Sequence, residues 1–381
     1  MNKFVLYLEE LGLRYKLGDV IDFNPTEKIK KGSVARKISM ENLMPFQRKI
    51  AGFTFQEFKG GTKFRNGDTI IARITPCFEN GKMAFVNILD EDEVAFGSTE
   101  YFILRANEKY IDKLFLYYLS TTKTLREKIK ASMIGTTGRQ RAQKESILEF
   151  EVDLPELAEQ RKISKFLGAI DSKIEVLRKI NDNLAEMARS LFMNLKVSES
   201  HTSLKSIADI VMGQSPKSDS YNDIKVGLPL LNGATDFKEG NVQATKYTSE
   251  PKKITEYGDY IFGVRATIGL TTKVFKKYAI GRGTGVARPK EKMYDEFLFF
   301  ILEELFEYYS TAGSGSVYIN ISRKNFEEYK VFLPNSTEIE KFHQQVSPIL
   351  NKIYKNRDII QKLNYLRNLL LPKLLSGELK L

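Results

Sequence analysis

Two stretches of this sequence carry the same apolar rhythm over a length that few arrangements can accommodate. In the first, Ile163, Leu167, Ile170, Ile174, Leu177, Asn181, Leu184, Ala188, Leu191 and Leu195 alternate steps of four and three. In the second, Phe342, Val346, Ile349, Ile353, Asn356, Ile360, Leu363, Arg367, Leu370 and Leu374 do the same. A seam with a mean step of about 3.5 residues, held for about five heptads, indicates a coiled coil. An amphipathic helix lying on a globular core is the alternative, but a stripe of about 3.6 residues per turn drifts off such a seam. Each seam contains one Asn. A buried amide is costly unless it meets a polar partner, so it sets register. If the helices run antiparallel, Asn181 facing Asn356 also sets Leu177 against Ile360, Leu167 against Leu370, Ile174 against Leu363 and Leu191 against Val346. Each helix provides roughly 57 Å at about 1.5 Å per residue.

The two stretches belong to a longer repeat. A constant offset carries Leu154-Pro155 and the helix after it onto Leu333-Pro334 and the helix that follows. Upstream, Gly67-Asp68-Thr69-Ile70-Ile71 resembles Gly258-Asp259-Tyr260-Ile261-Phe262, and Phe96-Gly97-Ser98-Thr99 resembles Arg282-Gly283-Thr284-Gly285. The run from Asp112 to Leu119 resembles that from Asp295 to Leu302, and Leu17-Gly18-Asp19-Val20 resembles Ile207-Ala208-Asp209-Ile210. The order is the same in both halves, and duplication accounts for it.

Each half therefore reads as a globular unit followed by one long helix. The expected division is an N-terminal helix over 1–14, a first globular domain over 15–153, a central helix over 154–199, a second domain over 200–334 and a distal helix over 335–381. The helical pattern Phe4–Leu11 is expected to pack near the end of the distal helix. Short β-type runs bounded by Gly, Asn and Asp include Thr69–Ile74, Met83–Ile88, Tyr101–Leu104, Tyr260–Val264 and Val331–Leu333. Single helices are expected near Tyr110–Lys130 and Met293–Tyr309. Strand and helix do not alternate as a doubly wound sheet requires, so mixed or antiparallel sheets are expected. The fold class is α+β: two mixed α/β domains separated by a long antiparallel two-helix coiled coil with pseudo-two-fold symmetry.

Composition narrows the function. Hydrophobic residues make up 42% of the 381, with 25 Phe and 18 Tyr, which is ample material for globular cores. No apolar run approaches the roughly 18–20 residues of a membrane span, and Met1–Leu13 lacks the layout of a signal peptide; a cytoplasmic location is expected. One cysteine, Cys77, excludes an internal disulfide and a multi-cysteine metal site. The two histidines, His201 and His343, are far apart in sequence and expected at the surface or on the coiled-coil flank, so no metal site is expected. The net charge of +11 suits a polyanion, because Lys and Arg displace the counterions condensed on phosphates, although solubility alone also accounts for it.

Motifs for chemistry are missing. An amino-methyltransferase needs a (D/N)PP(Y/F) run, and Asp22-Phe-Asn-Pro-Thr26 has one Pro and no following aromatic. Gly61-Thr-Lys63 and Gly81-Lys-Met83 both fail as phosphate-cradling loops. No suitable His accompanies any Ser, and no compact acidic–Lys cluster stands out. A non-catalytic recognition protein is the expectation.

The run from Leu154 to Ile174, with LPxLxEQ (Leu154 to Gln160) followed by Ala169-Ile170-Asp171, resembles the central helix of type I restriction-modification specificity subunits. The ending Leu370 to Leu379 is similar to their distal helix, and Gly67 to Ile71 and Gly258 to Phe262 are similar to the GDhhh segments of their target-recognition domains. The resemblance covers essentially the whole chain. It implies two target-recognition domains, each reading half of a split site on double-stranded DNA, on a helical pair that docks two adenine-N6 methyltransferase subunits and, with them, restriction translocase subunits. S-adenosylmethionine and ATP then bind to those partners and no cofactor binds here. Asn335 to Glu340 departs from the LPxLxEQ pattern, so the two docking surfaces are not expected to be identical.

DNA recognition calls for Arg or Lys toward phosphates and guanine, and Asn or Gln toward adenine. In the first domain this selects Lys28, Lys30, Lys31 and Arg36 in one basic loop, Arg73 with Thr75, Lys82, and Arg139, Gln140 and Arg141 after the polar loop Ile134–Gly138. In the second it selects Gln214, Lys217, Asn232, Arg265, Thr267, Arg282, Tyr318, Asn320 and Arg323. For each the plain alternative is a solvated surface residue. Two rival readings remain at this point: a free-standing enzyme with two recognition lobes, and a coiled-coil scaffold whose basicity serves solubility.

Overall fold

The computed structural model describes residues 13–238, 240–264, 269–312 and 322–381. The expected helix over Phe4–Leu11 and the candidates Arg265, Thr267, Tyr318 and Asn320 lie outside them. The chain divides into two units, Met1–Val176 with Lys362–Leu381, and Leu177–Gln361. Among the described residues, no helix is long and apolar enough to cross a membrane.

The first unit contains β1 (Leu13–Lys16), β2 (Ile21–Phe23), β3 (Val34–Ile38), β4 (Thr54–Glu57), β5 (Thr62–Phe64), β6 (Thr69–Ala72), β7 (Met83–Phe85), β8 (Ala95–Gly97), β9 (Tyr101–Ala106) and β10 (Glu151–Leu154). Its short helices are α1 (Lys113–Thr121), α2 (Lys123–Ala131) and α3 (Glu145–Leu148), and the long α4 (Leu157–Met193) begins here. Of its two four-stranded sheets one has the order β2-β9-β6-β7 and the other β4-β3-β8-β5, and β1 pairs with β10. All pairs are antiparallel except β3 with β8. The central strands are buried on both faces. Ile71, Phe102 and Leu104 enter the core against α1 and α4, while Ile70, Tyr101 and Ile103 enter the core between the sheets.

Sequence and structure part at several places here. Leu13 and Arg14 belong to a strand rather than the end of an N-terminal helix, because they pair with Leu154 and Asp153. The helix expected near Tyr110–Lys130 is two helices. Asp112 caps the first by accepting from the Leu114 and Phe115 amides, and Thr122 breaks it with an extended backbone, φ −62° and ψ 146°.

The second unit contains β11 (Val197–Ser203), β12 (Ala208–Met212), β13 (Tyr221–Asn222), β14 (Leu228–Leu231), β15 (Phe237–Lys238), β16 (Asn241–Val242), β17 (Lys246–Thr248), β18 (Tyr260–Gly263), β19 (Thr271–Lys273), β20 (Ala279–Ile280), β21 (Thr284–Pro289) and β22 (Lys330–Pro334). Strand β11 begins at Val197, inside the segment expected as central helix. Helices α5 (Asp295–Ala312), α6 (Arg323–Glu327) and the long α7 (Ser336–Leu375) complete it, with the last part of α7 belonging to the first unit. The sheet orders are β12-β21-β18-β19 and β13-β17-β14-β20, with β14 and β20 parallel.

The repeat is legible bond by bond. Leu17 N donates to Phe150 O as Leu204 N does to Tyr329 O, and Arg73 N donates to Glu100 O as Val264 N does to Gly283 O. Tyr101 N donates to Ser98 O as Thr284 N does to Gly281 O. These bonds slide two of the sequence matches by three residues: Leu17 corresponds to Leu204, and Phe96-Gly97 to Ala279-Ile280. Matching Asp19 with Asp209 and Gly97 with Gly283 aligned residues that do not occupy equivalent places in the backbone.

The GDhhh segment has a structural explanation. Gly67 and Gly258 turn the chain at φ +92° and +90°. Asp68, 1% exposed, accepts from Arg65 N and, at 2.7 Å each, from Nε and Nη2 of Arg105. Asp259, also 1% exposed, does the same with Glu256 N and Arg288.

On the long helices, Ile163 and Leu167 share the first unit's core with Leu371 and Leu374. In the second unit Ala188 shares a core with Phe342, Val346, Leu350 and Ile353. The buried stripe of α7 includes Leu350 and Leu371 beside the seam residues Ile349 and Leu370, which are only partly buried. The widening arises because α7 packs on the globular core as well. Buried Asn356 donates from Nδ2 to Asn181 Oδ1 at 2.8 Å. Within the first unit, Arg367 Nη1 donates to Asp171 Oδ1 at 2.6 Å, and Tyr118 OH donates to Asp171 Oδ2 at 2.7 Å. His343 stands on the flank of α7 beside Phe342, mostly buried against Glu296.

Candidate nucleic-acid interface

In the first unit the parallel strands β3 and β8 end together, and β8 runs into the turn Ser98–Tyr101. The segment after β6 lies beside this turn, since Arg73 N donates to Glu100 O at 2.9 Å. A third segment is stitched to the second: Ala142 N donates to Arg73 O, Thr75 N to Gln140 O, and Gln140 N to Thr75 Oγ1. Arg141 forms β-bridges on both sides, with Ile74 and Ile134. The fold thus gathers Arg73, Thr75, Gln140 and Arg141 from two distant stretches of sequence.

Their side chains differ in freedom. Thr75 is buried and holds backbone. The Glu100 carboxylate accepts from Arg141 Nε at 3.0 and 3.1 Å and from Nη2 at 2.7 Å. Hydrogen bonding and proximity to Glu100 raise Arg141 above the ordinary guanidinium value. Arg73 faces the same carboxylate at 3.5 Å and lies 5.3 Å over the Phe102 ring. Arg139 is exposed, on a loop turned by Gly135 and Gly138, and its side chain has no partner among the described residues.

The remaining candidates of the first unit lie elsewhere. Exposed Lys28, Lys30 and Lys31 precede β3, at the end opposite to the Ser98–Tyr101 turn. Five strand residues put roughly 17 Å between those ends. Arg36 stands on β3 itself and not in the basic loop. Its guanidinium pairs with Asp90 and Glu93, donates to Ile88 O and stacks 4.7 Å from the Phe53 ring centre, so it ties the sheet together. Lys82 donates to Met40 O at 2.7 Å. Glu27 completes the clamp below: burial pushes its carboxyl up, but hydrogen bonds from Arg105 and Arg65 outweigh this and hold it below the usual value.

The corresponding turn of the second unit is Gly281–Thr284. It brings Gln214, Asn232 and Arg282 together. Gln214 N donates to Ile280 O, Arg282 N to Ser215 Oγ, and Asn232 N to Asp236 Oδ2 at 2.7 Å. A Cβ on Gly281 would lie 1.9 Å from Asn232 Oδ1, and one on Gly283 2.0 Å from Asn232 O, so only glycine admits this packing. Exposed Arg282 stands between them, its guanidinium without a partner among the described residues. Lys217 is exposed on the loop after Gln214. Arg323 is not part of this group. It pairs with Glu327 and lines a cleft with Lys205, Asp209 and Lys290, at the start of β12, whereas Gln214 follows its end.

Glu100 escaped the sequence reading because a search for cationic and amide side chains passes over a carboxylate. Arg105 and Arg288 escaped it because their partners lie far away in sequence, although each stands near the end of an apolar strand, which is an anomalous place for a charge.

A family model described as type I restriction modification DNA specificity domain matches residues 14–186 and again 200–365. The chain is 25% identical over 336 residues to a putative type I restriction enzyme MjaX specificity subunit of Methanocaldococcus jannaschii, covering 82% of this chain and 79% of that protein. It is 21% identical over 404 residues to the type I restriction enzyme HindI specificity subunit of Haemophilus influenzae, covering 83% and 87%. In fold it is similar to the type I restriction-modification S subunit from M. genitalium, with a TM-score of 0.60 at 17% identity, covering 96% of each chain. The chain therefore belongs to the type I restriction-modification DNA specificity family and carries its domain twice.

Proposed function

We propose that this chain is the non-catalytic, sequence-reading subunit of a cytoplasmic type I restriction-modification complex, each unit reading one half of a split double-stranded DNA site. The observation that carries this reading is the correspondence of the two turns. Ser98–Tyr101 and Gly281–Thr284 occupy the same place in two repeats of one fold, and each is surrounded by Arg, Gln or Asn side chains. Those side chains suit base edges and phosphates. Exposed Arg139 and Lys217 are then phosphate ligands beside the turns, and Lys28, Lys30 and Lys31 are phosphate ligands at the far end of β3.

The domains of this reading span 15–153 and 200–334, with the helical segments 154–199 and 335–381 between and after them. We further propose that the two long helices pair antiparallel as a coiled coil with pseudo-two-fold symmetry. The Asn181–Asn356 hydrogen bond in one unit supports this register, and in the other Arg367 pairs with Asp171, the neighbour of Ile170 that the register sets against it. Such a rod would dock two adenine-N6 methyltransferase subunits and, through them, restriction subunits, with S-adenosylmethionine and ATP bound there and not on this chain. A reader of two sites on one duplex needs such a spacer, since a groove returns every ~10.5 base pairs.

The test is adenine-methylation mapping in cells carrying this chain with its modification subunit. A split motif with a fixed spacer, lost when the chain is deleted, is expected. A continuous motif, or methylation indifferent to the deletion, would return the enzyme or scaffold readings to the front.

A further inference from the structure

Among the described cations near the first unit's turn, Arg141 is the one whose guanidinium is hydrogen-bonded to a carboxylate. The Arg141 backbone is pinned on both sides by its bridges to Ile74 and Ile134, and its side chain is clamped by a carboxylate. A guanidinium carries five N–H donors in a rigid plane with two distinct edges. Glu100 occupies the edge formed by Nε and Nη2. The edge formed by Nη1 and the second Nη2 hydrogen makes no hydrogen bond among the described residues. Two parallel N–H groups fixed in orientation match the O6 and N7 acceptors of guanine in the major groove.

Glu100 is not explained as glue for the fold. The Arg141 side chain is 43% exposed and that of Glu100 24%, and so exposed a pair contributes little to stability. A carboxylate at a DNA-facing turn also repels phosphates, which is a cost unless it improves discrimination. Orienting an arginine fork beforehand provides that benefit, because the rotamer entropy is lost before DNA arrives. Arg139, two residues away, has no such brace. A mobile cation suits a phosphate, which accepts from many directions.

We infer that Arg141, oriented by Glu100, reads a guanine in the half-site of the first unit, and that Arg139 contacts the backbone. Glu100 is a positioning residue in this scheme. The inference rests on the DNA-reading function proposed above.

The experiment uses the full chain with its modification subunits, and reads the methylation motif together with the salt dependence of DNA binding. R141K keeps the charge but loses the fork, and is expected to lower the preference for guanine at one position by about tenfold or more. E100Q relaxes the same position while tightening binding to unrelated DNA, because a negative charge has been removed. R139A leaves the motif alone, weakens all sequences together and lowers the salt slope by about one phosphate contact. The other half of the motif stays intact in all three and reports a folded second unit. If R141K and E100Q both leave every base preference unchanged, the assignment is overturned, even where E100Q alone unsettles the turn. Absence of any split motif with the natural chain would instead defeat the function on which the inference rests.

Discussion

At the same turn of the same fold, one unit carries Glu100 between two arginines and the other carries Gly283 against the Asn232 backbone. The long helices differ in the same manner. The first unit places Tyr118, Asp171 and Arg367 in a buried polar chain, and the corresponding residues of the second are Ile301, Leu350 and Ala188, all buried in an apolar core. The clamp of a buried aspartate on an arginine, by contrast, recurs in both units. What recurs is what the fold needs to close its turn. What differs stands where a side chain can change without unmaking the sheet.

The comparison breaks most severely at the shared clamp. Asp68→Ala removes one of the two carboxylates that hold Arg105 and the acceptor of the Arg65 amide, and Asp259→Ala does the same to Arg288 and the Glu256 amide; each is expected to cost about 3 kcal/mol in chemical denaturation. A loss below about 1 kcal/mol for either would mean that the recurrence is not structural.

Next is the polar chain on the helices. Asp171→Ala alone strands Arg367 and Tyr118 and is expected to cost about 3 kcal/mol. The triple replacement Tyr118→Ile, Asp171→Leu, Arg367→Ala, which copies the second unit, is expected to be neutral or stabilising by about 1 kcal/mol or more. A triple variant as unstable as the single one would show that the two units do not share interchangeable packing.

Gly283→Ala tests the glycine wall. Its Cβ has backbone at 2.0 Å, so the turn must shift, at about 1–3 kcal/mol. Only the second half of the methylation motif is expected to degrade. Equal damage to both halves would count against independent readers.

Smaller effects attend the first unit's periphery. Arg36→Ala removes a stacked, paired guanidinium and is expected to cost about 1 kcal/mol while leaving the salt slope of DNA binding unchanged. A reduced slope would restore Arg36 as a phosphate ligand. Glu27 adds a pH signature. Its folded value lies below its ordinary value, so its contribution is full above the ordinary carboxyl range and lost as pH falls through the lower folded value. Glu27→Gln is expected to flatten the acid limb of the stability curve.

Local pattern carried much of this molecule. The spacing from Ile163 to Leu191 specified the long helix Leu157–Met193, and the β-type run Thr69–Ile74 contains the strand Thr69–Ala72, buried at every position. The candidate turns were only half visible. Arg141 and Arg282 were found by residue type, but type alone put Arg36 in the same class, although its charge is already taken by Asp90 and Glu93.

The sequence by itself determined the duplication, the two long helices and the basic character, because each is written in periodicity or composition within a short window. Only the tertiary structure decided which cations are free, braced or consumed. Arg141 and its carboxylate lie 41 residues apart, and Arg36 and Asp90 lie 54 apart. A loop's composition states which charges it holds, whereas what those charges face depends on how distant strands are brought together.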